Sequence, residues 1–506
     1  MEFSVKYIVV LIMLVVAMGS LMAQINGEIS QLGDKTVLKI WGNHYQRGYA
    51  QGYLLADEIK EVFTDYFYTM QVFSDQDYYN QLWDFTTSSF APDNRFITEC
   101  TGIAEGMAAS SAGAYVAVLG RNLEAQDLLM LNASVDLAYL ESSKELQLGC
   151  ASLASWGSST QADEILQGSA VITRFLDWTT NTALIGNPLL VVHFPSEPDE
   201  MRWVNFTFPG FIGAITALNE ELHFASMNTG NDHYYNDLNG LNPILYSIRS
   251  GIERRDYDQN GIQDADDLYS AIQSKNHLAG FIVQNLLENG GEAYNSVIET
   301  NNGGTARRLY NQSGDLPGLH LAATNHFRVL SYPTCCTRYV NIQDSLYTNR
   351  YLSAKRQWNV LSGAAGMDNN LMAIQYIPAQ DYLLWAVATA NTPAFARPAV
   401  TFAPSQLFSH PVSNNDDHLV QAPFDISVYP NPFGNPAELR LETKSEINRV
   451  EIFNLRGQRI YNGQGRGNSH SFGELSAEMP SGIYLIRVSD TQGNTGSCRI
   501  LKIGSK

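Results

Sequence analysis

Leu148-Gly149-Cys150-Ala151-Ser152, followed by Arg174-Phe175-Leu176-Asp177-Trp178, is the stretch on which the reading of this chain turns. Glycine leaves its own carbonyl open to attack and tolerates strained backbone, and a thiol is the strongest common side-chain nucleophile. An Arg-x-x-Asp pair on what reads as the next strand adds a cation for a thiolate and a carboxylate to orient its neighbours. A lone cysteine is more often a small buried hydrophobe; here its neighbours argue for chemistry. The Cys150 thiol can attack the Gly149 carbonyl, shift the peptide to a thioester and let water release it. Cys150 then becomes a new N-terminus, whose α-amine, with an ordinary pKa near ~8, serves as base for its own thiol. No histidine is needed. A papain-like alternative needs one, and of the ten present only His326 sits in a suggestive context.

Outward from this junction, the first 23 residues are set aside. One lysine before residue 7, an apolar run from Tyr7 to Met18 and the small-residue end Gly19-Ser20-Leu21-Met22-Ala23 read as a secretory signal peptide over 1–23. No other segment is long and apolar enough to cross a bilayer, so no transmembrane segment is expected and the mature protein reads as soluble and exported. The net charge of −19 argues against nucleic-acid binding. From Asp425 onward basic and acidic side chains nearly balance, so the acidity belongs to the body. Five cysteines, Cys100, Cys150, Cys335, Cys336 and Cys498, are too few for a disulfide framework, although one bridge among Cys100, Cys335 and Cys336 is open.

Four parts follow the signal. Residues 24–149 read as mainly helical, with apolar residues at helical spacing from Tyr53 to Phe63 and from Phe96 to Met107. Residues 150–403 mix strands (Ser169 to Phe175, Leu189 to Phe194, Ile212 to Leu218, and from His320 onward) with helices near Pro243 to Glu253 and Leu268 to Leu287. Residues 404–424 read as a linker. Residues 425–506 alternate short strands with Gly/Asn turns, an all-β sandwich. The fold class is therefore α+β with a small C-terminal β module.

Between the two expected helices, Asp256-Tyr257-Asp258-Gln259-Asn260-Gly261-Ile262-Gln263-Asp264-Ala265-Asp266-Asp267 carries the spacing of a calcium loop. Asp256, Asp258, Asn260, Asp264 and Asp267 supply oxygens, Ile262 a backbone carbonyl and Gly261 the sharp turn. The loop resembles an EF-hand or dockerin loop, with Gln263 where an apolar residue is usual and Asp267 in place of a bidentate Glu. A structural Ca2+ of modest affinity is expected, and no cofactor for catalysis.

Two resemblances add to this reading. Val428-Tyr429-Pro430-Asn431-Pro432-Phe433, Val450 to Gln458 and Ser481 to Val488 resemble the C-terminal sorting domain of the type IX (Por) secretion system. That likeness implies export through the periplasm to the outside or the surface of a Gram-negative cell, with the secretion machinery as partner. Tyr45-Gln46-Arg47-Gly48-Tyr49-Ala50-Gln51-Gly52, Cys100 to Gly106, Gly149-Cys150, Arg174 to Trp178, Ala217 to Asn228, Ala323-Thr324-Asn325-His326-Phe327 and Thr348-Asn349-Arg350-Tyr351 resemble, in order, the acyl-coenzyme A:isopenicillin N acyltransferase family. The likeness runs from about Thr36 to Phe402. It implies an αββα sandwich of the N-terminal-nucleophile hydrolases, shared with penicillin V acylase, bile-salt hydrolase and acid ceramidase.

The same resemblance implies roles. Cys150 is nucleophile and base, Asp177 bonds its amine, Arg174 holds the thiolate and orients Asp177, Asn228 and Asn325 form the oxyanion hole, and Arg350 completes the charge network. The chain thus reads as a secreted, self-processing enzyme that hydrolyses a linear N-acyl amide, with a hydrophobic acyl pocket. Transfer of the acyl group to an amine is the alternative within that class. The alternative outside it is a catalytically silent, calcium-stabilised surface binding protein.

Overall fold

The computed structural model describes residues 25–140, 149–230, 232, 235–289, 292–310, 316–331 and 336–409, and in the C-terminal part 426–431, 433–435, 439–443, 445–454, 458–465, 467–472, 479–480, 482–491 and 495–502. The signal segment and most of the expected linker lie outside these residues. The chain divides into two compact units, Met1–Ser409 and His410–Lys506.

The first unit opens with β1 (Gly27–Leu32) and β2 (Lys35–Gly42), and a two-residue hairpin, β3 (Tyr115–Val116) with β4 (Arg121–Asn122), follows. Next come β5 (Gly149–Ser155), β6 (Val171–Asp177), β7 (Leu189–Pro195), β8 (Trp203–Thr207), β9 (Thr216–Asn219) and β10 (Phe224–Thr229). The later strands are β11 (Phe281–Asn289), β12 (Glu292–Asn301), β13 (Gly304–Arg308), β14 (His320–Ala323), β15 (Asn370–Ile377), β16 (Tyr382–Val387) and β17 (Val400–Phe402). Nine strands form one sheet, ordered β1-β2-β7-β8-β9-β10-β11-β12-β13, and six form another, ordered β14-β5-β6-β15-β16-β17. All pairings are antiparallel except β2 with β7.

Side chains from the two sheets meet. Arg174 Nη2 donates to the Met227 carbonyl at 2.8 Å, Ser152 Oγ to Gln284 Oε1 at 2.5 Å, and Phe206 packs on Trp385. Strand β5 is Gly-Cys-Ala-Ser-Leu-Ala-Ser, every residue buried, because neighbours cover both its faces. Its other face carries the helix Ala354–Ala365, whose buried Gln357 Nε2 donates to Ser155 Oγ and the Val171 carbonyl. Helices Ile244–Glu253 and Ala265–Gln273 pack beside strands of the larger sheet.

Two expectations need correction. The N-terminal part is not wholly helical, since β1 and β2 join the nine-stranded sheet; Val37, Leu38 and Ile40 bury their side chains there and β2 runs alongside β7. The helix expected over Leu268 to Leu287 ends at Gln273, and Phe281–Asn289 is strand β11. The run Phe-Ile-Val-Gln-Asn-Leu-Leu fits a buried strand as well as a helix, and pairing with β10 and β12 decides it.

Helix His44–Leu54 starts where Gly42 turns with φ +96° and Asn43 caps it, its side chain accepting from the Gln46 N–H while Gln46 reaches back. It crosses helix Asn94–Ala109 at four glycines. A Cβ on Gly48 or Gly52 would strike the carbonyls of Glu99 and Ile103, and one on Gly102 or Gly106 would strike those of Tyr45 and Tyr49. The glycine-bearing motifs of the sequence therefore form a close helix crossing. Gly48→Ala and Gly102→Ala are each expected to destabilise the fold by about 1–3 kcal/mol, read as a lower urea midpoint. An unchanged midpoint would refute the close crossing.

A buried charge network ties this helix pair to the rest of the unit. His44 Nδ1 meets Glu99 Oε2 at 2.6 Å and His44 Nε2 meets Glu200 Oε1 at 2.9 Å. Arg47 bonds Glu200 at 2.9 Å and Glu253 at 2.6 Å, and Arg249 bonds both Glu99 and Glu253 at 2.7 Å. Burial alone would push the His44 pKa down, but its bonds to Glu200 and Glu99 carry it up to about 9. The folded state thus keeps a proton that the unfolded chain loses above about pH 6.5. This contribution, on the order of 3 kcal/mol, is complete below that pH and disappears as pH rises through about 9. Unfolding midpoints measured from pH 6 to pH 10 should fall across that window, and His44→Gln should flatten the fall.

The second unit is all β. Three strands, Ile426–Tyr429, Arg440–Thr443 and Ser469–Ser471, form one antiparallel sheet. Four more, Ile447–Asn454, Arg459–Gln464, Gly482–Asp490 and Thr495–Lys502, form the other. Leu441, Val450, Ile452, Phe472, Ile486, Val488 and Ile500 fill its core.

Candidate active site

Strands β5 and β6 pair so that Gly149 lies opposite Asp177, Cys150 opposite Leu176 and Ser152 opposite Arg174. Alternation sends the side chains of Ser152 and Arg174 toward the nine-stranded sheet, where each finds its partner, and puts Cys150 on that face. Asp177 points the other way, toward helix Thr337–Thr348, which supplies Arg338. Cys150, Arg174, Asp177, Asn228 and Asn325 are all almost completely buried.

Asn325 follows β14 and turns its Oδ1 onto the backbone N–H of Cys150 at 3.0 Å. Its Nδ2 donates to the carbonyl and hydroxyl of Thr229 at 2.8 and 2.9 Å. Asn228, on β10, donates from Nδ2 to the Thr324 carbonyl at 3.2 Å, and its Oδ1 is buried without a partner. The two amides therefore differ: Asn325 is fully engaged and grips the Cys150 nitrogen, whereas Asn228 keeps unused capacity.

Arg338 joins the parts. Its Nη1 donates to Asp177 Oδ2 at 2.7 Å, and its Nη2 donates to the Cys150 carbonyl at 3.1 Å and to Asn325 Oδ1. Asp177 Oδ1 accepts from Asn370 Nδ2 at 2.9 Å. Arg174 leaves Nε and Nη1 without hydrogen-bond partners. Burial pushes the Cys150 thiol up, and the Arg174 charge pulls it back part of the way. Burial also raises the Asp177 carboxyl, against Arg338, and lowers the Arg174 guanidinium. At Gly149 a Cβ would press on Met367 Sδ, Arg338 Nη2 and Asp177 Cβ, so the residue before the thiol has little room.

Arg350 is not part of this cluster. It is exposed, its guanidinium lies over the Tyr351 ring at 5.3 Å, and only its carbonyl is used inward, accepting from His320. Arg338 holds the position expected of Arg350. Both arginines precede a tyrosine, and the Thr-Asn-Arg-Tyr run drew the assignment twelve residues too far. The usable signal is chain proximity, because Arg338 stands in the first turn of the helix that follows the Asn325 loop. His326 forms no hydrogen bond with Cys150 among the described contacts, and its Nδ1 has no partner. Cys100, Cys150 and Cys336 are free thiols, and Cys335 lies outside the described residues.

In the loop of residues 256–267, carboxylate oxygens of Asp256, Asp258 and Asp267 lie within 4.8 Å of one another. Asn260 Oδ1 accepts from Ile262 N–H and Asp264 Oδ1 from Asp266 N–H, and Asp256, Asp258 and Asp267 likewise accept backbone N–H bonds within the loop. Gly261 has φ +85°, as the loop pattern requires. His44, Glu200 and Glu253 also approach one another, but Arg47 and Arg249 already neutralise that group.

Residues 427–502 match the family described as the secretion system C-terminal sorting domain. The C-terminal unit is a type IX sorting domain. The sorting domain marks the chain for the type IX machinery and for secretion or display at the cell surface. Among the described residues no helix is long and apolar enough to cross a membrane. The body is similar to protein dcd1B of Dictyostelium discoideum, 24% identical over 209 residues, 38% of this chain and 39% of that protein. The chain thus spans about two fifths of the length of the curated relative it matches. Among solved structures, a Caenorhabditis elegans N-acylethanolamine-hydrolyzing acid amidase ortholog aligns with 45% of this chain and 93% of its own, at 16% identity and a TM-score of 0.33. A conjugated bile acid hydrolase from Clostridium perfringens aligns with 46% of this chain and 89% of its own, at 7% identity and a TM-score of 0.26.

Proposed function

We propose that this protein is an exported cysteine amidase of the N-terminal-nucleophile type, with an αββα body that cuts itself between Gly149 and Cys150. The observation that supports it best is where the polar groups converge: Asn325 on the Cys150 backbone nitrogen, and Arg338 on the Cys150 carbonyl, Asn325 and Asp177. A histidine-dependent thiol enzyme would aim its base at the sulfur. Here the side chains hold the atom that has to become an amine.

In self-cleavage the Cys150 sulfur bonds to the Gly149 carbonyl carbon and gives up its proton, the C–N bond breaks, and the Cys150 nitrogen takes a proton. Water then hydrolyses the thioester, leaving a Gly149 carboxylate and a free thiol. In turnover the amine accepts the thiol proton, the sulfur attacks the amide carbon of an N-acyl substrate, the substrate amine departs protonated, and water frees the acid. Asn325 anchors the amine, Arg174 supports the thiolate, and Asn228, which gives one Nδ2 N–H to the Thr324 carbonyl and has a second, is the donor available to an oxyanion. This assignment replaces the expectation that both asparagines form the oxyanion hole, because Asn325 already spends its donor on Thr229.

The test is intact mass and N-terminal sequencing of the purified chain, followed by release of amine from a panel of N-acyl amides. A fragment beginning at Cys150 and acid release in water are the expected results; preferential capture of the acyl group by an added amine would mean transfer instead. A folded chain that stays whole at several pH values, with calcium present, would overturn the reading.

Calcium held by Asp256, Asp258 and Asp267 is part of the same proposal, as a staple between two helices. At about a hundred times its dissociation constant it should add about 2.7 kcal/mol of stability. A melting temperature that rises with calcium, returns with EDTA and does not respond in Asp258→Ala is expected; identical melts with and without EDTA would remove the ion.

A further inference from the structure

On the outer face of the six-stranded sheet, beside helix Ala354–Ala365, lies a cavity of about 740 Å3 that the reaction does not use. Trp358, Phe395, Ile377 and Leu384 give it an apolar wall, and Lys355 and Arg397 stand at its edge. Among the described residues no carboxylate lines it, in a chain with 51 acidic and 32 basic side chains. Neither Lys355 nor Arg397 belongs to an ion pair among the described residues, although Asp34 feels the charge of Arg397. The wall is fixed: Trp358 Nε1 donates to the Phe395 carbonyl at 3.2 Å, and Phe175 stacks on Phe395 at 5.4 Å.

We infer that this cavity binds a single-chain amphiphile with an anionic head, such as a fatty carboxylate, its tail on Trp358 and Phe395 and its head on Lys355 and Arg397. The size is that of a small-molecule site, and two cations outside any ion pair among the described residues, against an acidic background, select the sign of the head group. The site also has a short route to the reaction centre. The Phe395 N–H donates to Asn370 Oδ1 at 3.0 Å, and Asn370 Nδ2 donates to Asp177 at 2.9 Å. A ligand pressing on Phe395 therefore acts on Asp177 through one buried side chain; this second claim rests on the reaction proposed above.

The test is titration calorimetry of the full-length chain with dodecanoate below its micellar concentration, beside dodecyltrimethylammonium. One saturable site for the carboxylate, little binding of the cation, and at least tenfold weaker binding in Lys355→Glu/Arg397→Glu and in the cavity-filling Ala399→Trp are expected, with melting temperatures unchanged. Equal binding of both detergents, no binding, or affinity indifferent to these substitutions overturns the site; indifference would place dodecanoate at Cys150. Binding that appears only after proteolysis removes the C-terminal unit would give the groove to this chain's own segment and also overturn it. If dodecanoate binds but does not change turnover, the route through Asn370 fails while the site stands.

Discussion

Cys150→Ala is expected to yield a whole, folded, inactive chain, with both processing and amide turnover lowered by at least about 10³-fold. Cys150→Ser should retain only slow cutting, because a hydroxyl with no histidine bonded to it among the described contacts has to lose a far less acidic proton. Removing the sulfur from a buried position costs the fold only a small cavity, on the order of 1 kcal/mol, so unfolding midpoints should stay close to wild type. Separating these two readouts matters. A variant that loses activity in step with stability would say little about the thiol, and a Cys150→Ala chain that still gives a fragment beginning at residue 150 would end the self-processing proposal.

Arg338→Ala and Arg350→Ala should part by two orders of magnitude or more. Without Arg338, Asp177 keeps Asn370 as its one side-chain partner among the described residues, and a buried carboxylate stripped of its cation costs about 3–5 kcal/mol. Processing and turnover should fall by about 10² or more, since Asn325 and the Cys150 carbonyl lose their brace at the same time. Arg338→Lys should recover little, because a point charge cannot span three acceptors as a planar guanidinium does. Arg350→Ala lies on an exposed surface and should stay within about 0.5 kcal/mol of wild type in stability. Activity measured beside urea unfolding for the three variants decides it: if Arg350→Ala is the damaging change, the cluster around Arg338 is not the reaction centre.

The strand-borne members of the site were legible in the sequence because their runs read as two neighbouring strands, which pair. Cys150, Arg174 and Asp177 sit on adjacent strands, but Asp177 faces away from Arg174 and is held by Arg338, so Arg174 does not orient it as expected; the glycines at 48, 52, 102 and 106 fall where two helices touch. Arg338 was not legible. A helix that packs against the sheet from outside can present any of several residues, and only tertiary contact selects one. The same holds for β1 and β2, whose alternation is short and whose place is fixed by pairing of β2 with a parallel strand 153 residues away. The opposing duties of Asn228 and Asn325 were also beyond reach, because they depend on which carbonyls lie within 3 Å of each amide.

The hairpin of β1 and β2, held at the edge of the large sheet by seven residue pairings to β7, bears on what the proposed scission would do. Breaking one peptide bond at Gly149 leaves those pairings, the glycine crossing and the ion network untouched. If the chain cuts itself as proposed, the cut would differ from zymogen activation by a departing inhibitor: it would relabel a peptide nitrogen as a terminus and release nothing. The two pieces should travel as a single species through a native column and separate only in denaturant.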